Sequence, residues 1–262
     1  MKKIVTLMMA GVIASCTTPK IALDQNNWNN PIGFAVKGRQ GFMLNQKLSF
    51  ADYRTTEIKR SWTKESSNRI GWGVMKLPGD YTNIISAEYI QKKQTIRFAL
   101  TDDQDSFSDV YCVSHMQSHD LVIGNNPNSI VNILAEIINI GRMREENNYY
   151  VQLYTNKSEL PWEMLLDNNA VHLNADDYAG FLTQTKDLYY KIVPINRLAG
   201  KNGKPAALPL GSIGYEFRDK HDQPIAALSL IDNGMVYFRE TDAATKFLLA
   251  NACAALLLQE QI

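Results

Sequence analysis

From Pro31 onward the chain alternates short apolar segments, rich in β-branched and aromatic residues, with clusters of glycine, asparagine, aspartate and serine. Segments of that length bounded by turn formers read as β-strands. Ile32–Lys37, Phe42–Leu48 and Thr55–Trp62 are the first three, with Gly38 and Gly41 near the first reversal. Tyr81–Ile90 and Thr95–Leu100 read as a hairpin across Gln91-Lys92-Lys93-Gln94, followed by strands at Val110–His115 and Leu121–Ile123. The period then changes. Ile130, Ile133, Leu134, Ile137 and Ile138 fall on one face of a helix, predicting Asn128–Ile140, with Asn128 or Ser129 to cap it and Gly141 to end it. Strand character returns at Tyr149–Tyr154 and Leu188–Val193, Ser158–Leu166 reads as a short helix, and Gly200–Pro209 as a loop. Ser212–Phe217, Pro224–Ile231 and Met235–Arg239 form a meander whose Asp232-Asn233-Gly234 turn accepts positive φ.

The last stretch decides the architecture. Thr241 or Asp242 can cap a helix in which, from Phe247 to Leu258, only Asn251 is polar. Such a run covers every face of a helix with apolar side chains, so no side is suited to water. It is also well short of the ~20 residues needed to cross a bilayer. The rest of the fold must therefore wrap it, and in a chain of short antiparallel strands the wrapper is a closed or strongly curved sheet. The expected fold is mainly β within the α+β class. It is an antiparallel β-barrel around a hydrophobic C-terminal helix, with one or two additional helices, in a single domain over 31–262.

The meander Pro-Ile-Ala-Ala-Leu-Ser-Leu-Ile-Asp-Asn-Gly-Met-Val, followed by Asp242 and Lys246-Phe247-Leu248-Leu249-Ala250, resembles the end of tubby-like and phospholipid-scramblase-like domains. That resemblance implies a roughly twelve-stranded barrel threaded by one C-terminal helix. It brings no shared catalytic constellation, and this chain has no counterpart of the scramblase proline-rich tail or calcium segment.

The amino terminus carries a different signal. Lys2 and Lys3 precede an uncharged apolar run from Ile4 to Ile13, the layout of an export signal peptide over residues 1–15. Ile13-Ala14-Ser15-Cys16 resembles a bacterial lipobox, which implies diacylglyceryl transfer to Cys16 and cleavage before it. The membrane is then a partner through acyl chains on Cys16, and the expected location is the bacterial cell envelope. Thr17 stands where an aspartate would resemble an inner-membrane retention signal, which favours the outer membrane by analogy. Residues 16–30, polar and asparagine-rich, read as a lipidated tether.

Composition is that of an ordinary globular protein, 45% hydrophobic and 21% charged. Lys+Arg and Asp+Glu are balanced at 27 each, so no overall field points to nucleic acid. Charge is uneven locally: Lys37 to Arg69 holds eight basic and three acidic residues, with Trp62 and Trp72 in or beside it. Lys37, Arg39, Lys59 and Arg60 are the candidates there for contact with anionic lipid headgroups; the alternative is a set of charges that solvate two hairpins. With Cys16 lipidated, Cys112 and Cys253 remain. An oxidising compartment permits a bridge between them, but Cys253 lies in the apolar helical run, where cysteine serves as a small hydrophobe.

Chemistry-bearing motifs are sparse. His115 and His119 could share a strand face and a metal, although Gln117, Ser118 and Asp120 suggest a turn between them. Leu210-Gly211-Ser212-Ile213-Gly214 resembles a serine-hydrolase elbow with its first glycine replaced, and Ser212 opens a strand instead of a strand-to-helix turn. Four aspartates between Asp102 and Asp109 lack the glycine and alternate oxygens of a calcium loop and read as an acidic turn. No catalytic residue, metal or cofactor is assigned. The leading reading is a non-enzymatic binding or scaffolding module near the membrane. Its rivals are a hydrolase-type envelope enzyme, and a subunit that docks another envelope protein through the Asn128–Ile140 helix.

Overall fold

A computed structural model describes residues 18–29, 31–39, 46–56, 58–61, 95–116, 148–156, 158, 160–168, 178–200, 204–208 and 211–259. The strands expected at Tyr81–Ile90 and Leu121–Ile123, the Asn128–Ile140 helix, and Cys16, Trp62, Trp72 and His119 lie outside these residues.

The described strands are β1 (Ile32–Ala35), β2 (Ser49–Phe50), β3 (Tyr53–Thr55), β4 (Lys59–Ser61), β5 (Thr95–Thr101), β6 (Phe107–Met116), β7 (Asn148–Thr155) and β8 (Trp162–Asp167). They continue with β9 (Gly180–Thr185), β10 (Leu188–Ile195), β11 (Arg197–Leu198), β12 (Ala206–Ala207), β13 (Gly214–Arg218), β14 (Pro224–Ser229) and β15 (Met235–Phe238), and end in helix α1 (Ala243–Leu258). One antiparallel sheet runs in the order β1-β15-β14-β13-β10-β9-β8-β7-β6-β5-β3-β2, with β4 also on β5, while β11 and β12 form a separate ribbon. The sheet curls into a nearly closed barrel. Its seam lies between β1 and β2, where Lys37 and Ser49 exchange backbone hydrogen bonds of 2.9 and 3.0 Å.

Period-two alternation sends one side chain in two to the axis. Ile96, Phe98 and Leu100 of β5, Tyr149, Val151 and Leu153 of β7, and Ala226 and Leu228 of β14 join one core with α1. From Phe247 to Leu258 every residue of the helix is buried, as its all-round apolar pattern requires. Asp242 is the N-cap, its Oδ1 accepting from the Thr245 N–H at 2.9 Å. Hydrogen bonds from the Thr245 hydroxyl and backbone hold the carboxyl below its ordinary pKa. Asn251, the one polar residue of the run, donates to the Phe247 carbonyl at 2.8 Å and accepts from the Ser108 hydroxyl on β6. Asp232 and Gly234 take the positive φ expected of their turn, 51° and 96°. The φ of Gly234 favours glycine, and a Cβ there would also press on Leu257 Cδ2 at 2.6 Å.

Two expectations are corrected. Ser158–Leu166, read as a short helix, contains most of β8, and β9 was not foreseen. β8 is paired to β7 and β9 and is buried along nearly its whole length. A strand covered on both faces keeps no polar alternation, and Glu-Met-Leu-Leu carries helical propensity, so pairing overrode the local preference. The polar stretch read as a tether is docked from Lys20 on. Ile21 and Trp28 are only 4% and 3% exposed and pack with Ile195, Ala227 and Tyr237 against the barrel wall. Asp24 folds the intervening asparagines into a turn, accepting from Asn26 N–H at 3.0 Å and Asn27 Nδ2 at 2.8 Å.

Leu249 is fully buried. Leu249→Asp is expected to destabilise the domain by ~3–5 kcal/mol, since it places an unpaired carboxylate in the axis of the barrel. A cooperative melt at the wild-type temperature would show that α1 is not the core.

Candidate functional site

The two mouths of the barrel differ. At one, β10 ends at Ile195 opposite Gly214 of β13, Ser229 of β14 faces Met235 of β15, and Met235 faces Ala35 of β1. The C-terminus of α1 opens here, with Leu257 against Gly234. The chain between β4 and β5, β6 and β7, β8 and β9, and β10 and β13 also leaves from this rim.

A helix end presents carbonyls with no intrahelical donor and a partial negative charge. The last turn of α1 has no basic residue of its own. Distant residues supply the donors. Arg39 Nε donates to Leu257 O at 3.1 Å and Arg60 Nη1 to Leu258 O at 3.2 Å, while Tyr149 Oη at 2.9 Å joins the Gln259 N–H at 3.1 Å on Ala255 O. Arg39 Nη1 also bonds Leu230 O at 2.7 Å and Asp232 O at 3.1 Å, tying the helix end to the β14–β15 turn. Gln46 joins the set, accepting from Arg60 at 3.3 Å and donating to Arg39 O at 2.7 Å. Burial lowers the Arg39 pKa, yet a guanidinium keeps its proton in a protein.

This geometry divides the four cations expected to form one anionic-lipid surface. Arg39 and Arg60 point their guanidinium groups at the helix end. Lys37 and Lys59 are exposed, Lys37 just beyond β1 and Lys59 on β4 opposite Arg97. The basic stretch therefore has two tasks, and the sequence displayed only its charge.

Beneath Arg60, Cys112 and Tyr149 are both fully buried. Burial pushes the Cys112 thiol up to about 12 and raises the Tyr149 phenol well above its ordinary value. Cys253 is likewise raised by burial. Both cysteines are free thiols, so the bridge left open by the sequence is not made.

A cleft of about 940 Å³ lies on the outer wall between residues 20–28 and strands β10, β13 and β15. Its polar centre is Glu216, 5% exposed, which accepts from Trp28 Nε1 at 2.7 Å and Arg218 Nε at 2.5 Å. The pair of donors satisfies the buried carboxylate and locks Trp28 to the sheet. No local pattern marks Glu216, and its partner Trp28 lies 188 residues away. A tryptophan within an otherwise polar stretch was the available signal.

The remaining motifs take their plain roles. Ser212 Oγ donates to Gly214 O at the start of β13. Asp102 Oδ1 accepts from Gln104 and Ser106 N–H at 2.9 and 2.8 Å, closing the acidic turn between β5 and β6. His115 lies in β6. Among the described residues no group of three His, Cys, Asp or Glu side chains could hold a metal.

Arg39→Ala is expected to lower stability by about 2 kcal/mol or more, because it strips charged donors from three carbonyls. Arg39→Lys should recover only part, since the planar fork is lost, and Lys37→Ala should stay within about 0.5 kcal/mol. Urea unfolding of the three variants measures the contrast. A thiol reagent at mildly alkaline pH should leave Cys112 and Cys253 unmodified in the native Cys16→Ser chain and label both after denaturation. Labelling of the native protein at the denatured rate would contradict the burial.

No family model, curated protein or solved structure matches the chain.

Proposed function

We propose that this chain is an exported lipoprotein, cut before Cys16 and held to an envelope membrane by acyl chains on that cysteine, with a barrel that serves as a non-enzymatic binding or scaffolding module. The observation that carries the reading is the join between address label and fold. Cys16, at the end of the Ile13–Cys16 pattern, precedes Lys20 by four residues. The carbonyl of Lys20 accepts from Ala199 N–H at 2.8 Å, and Ala22 N–H donates to Arg197 O at 2.8 Å. Four extended residues span at most ~14 Å. An acyl anchor at Cys16 therefore holds the barrel close against the bilayer.

The cleft around Trp28, Glu216 and Arg218 supports a binding role, because it offers a concave surface with a rigid floor. A barrel wrapped on a C-terminal helix is also the architecture that the tubby-like resemblance implies. Thr17 after the cysteine favours the outer membrane. Among the described residues no helix is long and apolar enough to cross a membrane, and under this reading attachment rests on lipid.

The expected mature protein begins at residue 16 with a diacylglyceryl group on Cys16, read by mass spectrometry of the amino-terminal peptide. Cys16→Ser should move the chain out of the membrane fraction while leaving the melt of the domain unchanged. An unmodified residue 16 in the wild-type chain would overturn the reading.

A further inference from the structure

We infer that the barrel mouth at the C-terminal end of α1 rests on anionic phospholipid headgroups through Lys20, Lys37, Arg197 and Lys204. The inference builds on the lipid anchor proposed above and adds the orientation of the domain and the chemistry of the surface it meets.

Three placements converge on this mouth. Ile21 is bridged to Leu198 of β11, and β11 follows directly on the end of β10. The segment then runs along the outer wall past Glu216 to β1, whose first residue, Ile32, pairs with Phe238 at the opposite end. The chain therefore enters the fold at the rim where α1 ends, and a lipid on Cys16 can lie no farther than a few extended residues from it. The second placement is charge. Lys20, Arg197 and Lys204 stand exposed on or beside the β11–β12 ribbon, and Lys37 stands exposed where β1 leaves the sheet at the same rim. Among the described residues Asp232 is exposed there, and Asp24 lies farther along the wall.

The third is contrast with the other mouth. Its turns join β2 to β3, β5 to β6, β7 to β8, β9 to β10 and β13 to β14, and four of these five carry aspartates, with Asp242 capping α1 beside them. Arg54 and Lys191 at that end are paired, to Asp103 at 2.7 Å and Asp222 at 2.8 Å, and the exposed Lys186 and Lys220 stand in turns that also carry Asp187, Asp219 and Asp222. An anchored domain turned the other way would point aspartates at phosphates. Turned this way, exposed cations meet the headgroups, and each contributes within a Debye length of the surface.

Every residue of the described core lies at or beyond Ile21, so the chain from residue 16 carrying Cys16→Ser is a fair probe without acyl chains. It is to be co-sedimented with phosphatidylcholine vesicles and with vesicles containing phosphatidylglycerol, at low and high salt. The expected result is retention on the acidic vesicles alone, weakened by salt. Combined Lys20→Gln, Lys37→Gln and Lys204→Gln should reduce affinity by about tenfold or more, given the contribution of each cation near a charged surface. Lys186→Gln with Lys220→Gln, at the opposite mouth, should change it less than about twofold. Equal retention on both vesicles, or an equal loss from the two sets of variants, overturns the surface. Mass spectrometry of residue 16 in the wild-type chain separates the two ideas. An acylated Cys16 with vesicle indifference leaves the anchor and removes the surface; an unmodified Cys16 with a preserved acidic preference does the reverse.

Discussion

Helix α1 has no face for water, and most of the architecture follows from enclosing it. Twelve consecutive residues, Phe247 to Leu258, are buried. Enclosure on all sides demands a sheet that nearly meets itself, and β1 and β2 do so through the Lys37–Ser49 bridge. Enclosure also withholds water from the C-terminal end of the helix, whose orphan carbonyls then need protein partners. Asp242 serves the first turn from next door. The last turn is served by Arg39, Arg60 and Tyr149, all from the first two-thirds of the chain. The segment that supplies Lys37 to the seam also carries Arg39, so the near-closure of the barrel and the capping of its axis share one stretch of chain.

Within the axis, Asn251 limits how the helix can sit. A cylinder of leucine and alanine could slide or turn inside an apolar wall at small cost, because dispersion contacts are non-directional. The hydrogen bond between Asn251 and Ser108 has one register and one rotation at which it forms. Away from that setting the amide would be buried without its partner, a loss of roughly 1–3 kcal/mol. A single polar residue thereby supplies the specificity that an all-apolar interface lacks. Gly234 adds a steric limit, allowing Leu257 to approach the β14–β15 turn.

What could be read from the sequence divides along the range of the forces involved. Local periodicity gave β5, β6, β7, β10, the β13–β15 meander and α1, because each has one clear face or a strong turn signal. It failed at Ser158–Leu166, where coverage on both faces removed the alternation. It failed again at Ile21 and Trp28, since two apolar residues in a polar stretch show no period and their docking depends on a distant wall. The role of Arg39 was hidden for a related reason: its acceptor at Leu257 lies 218 residues away, and Arg60 reaches 198 residues to Leu258. Composition marked the stretch as basic without revealing that half of the four named cations answer a helix dipole. Trp28 and Glu216 form a site only through a contact 188 residues apart in sequence.

The barrel is asymmetric along its axis, and that asymmetry links fold to role. One mouth is closed by tight turns, several with a residue held at positive φ, such as Asp105, Asn156 and Asp222. Short strained turns suit rigid closure and leave little room for recognition. The other mouth receives the helix end, the capping arginines and the β11–β12 ribbon, and the described strands β4, β6 and β8 end at it. Function on rigid scaffolds concentrates where connections are long and where the backbone is held by the frame beneath. The amino-terminal segment enters at this same mouth and is then fixed along the wall by Ile21 and Trp28. A module tethered there can turn about its anchor only as far as a few residues allow. Under the proposed anchoring, the equipped mouth stays near the bilayer, and the Trp28–Glu216 cleft lies along the flank, open to a partner approaching from the side.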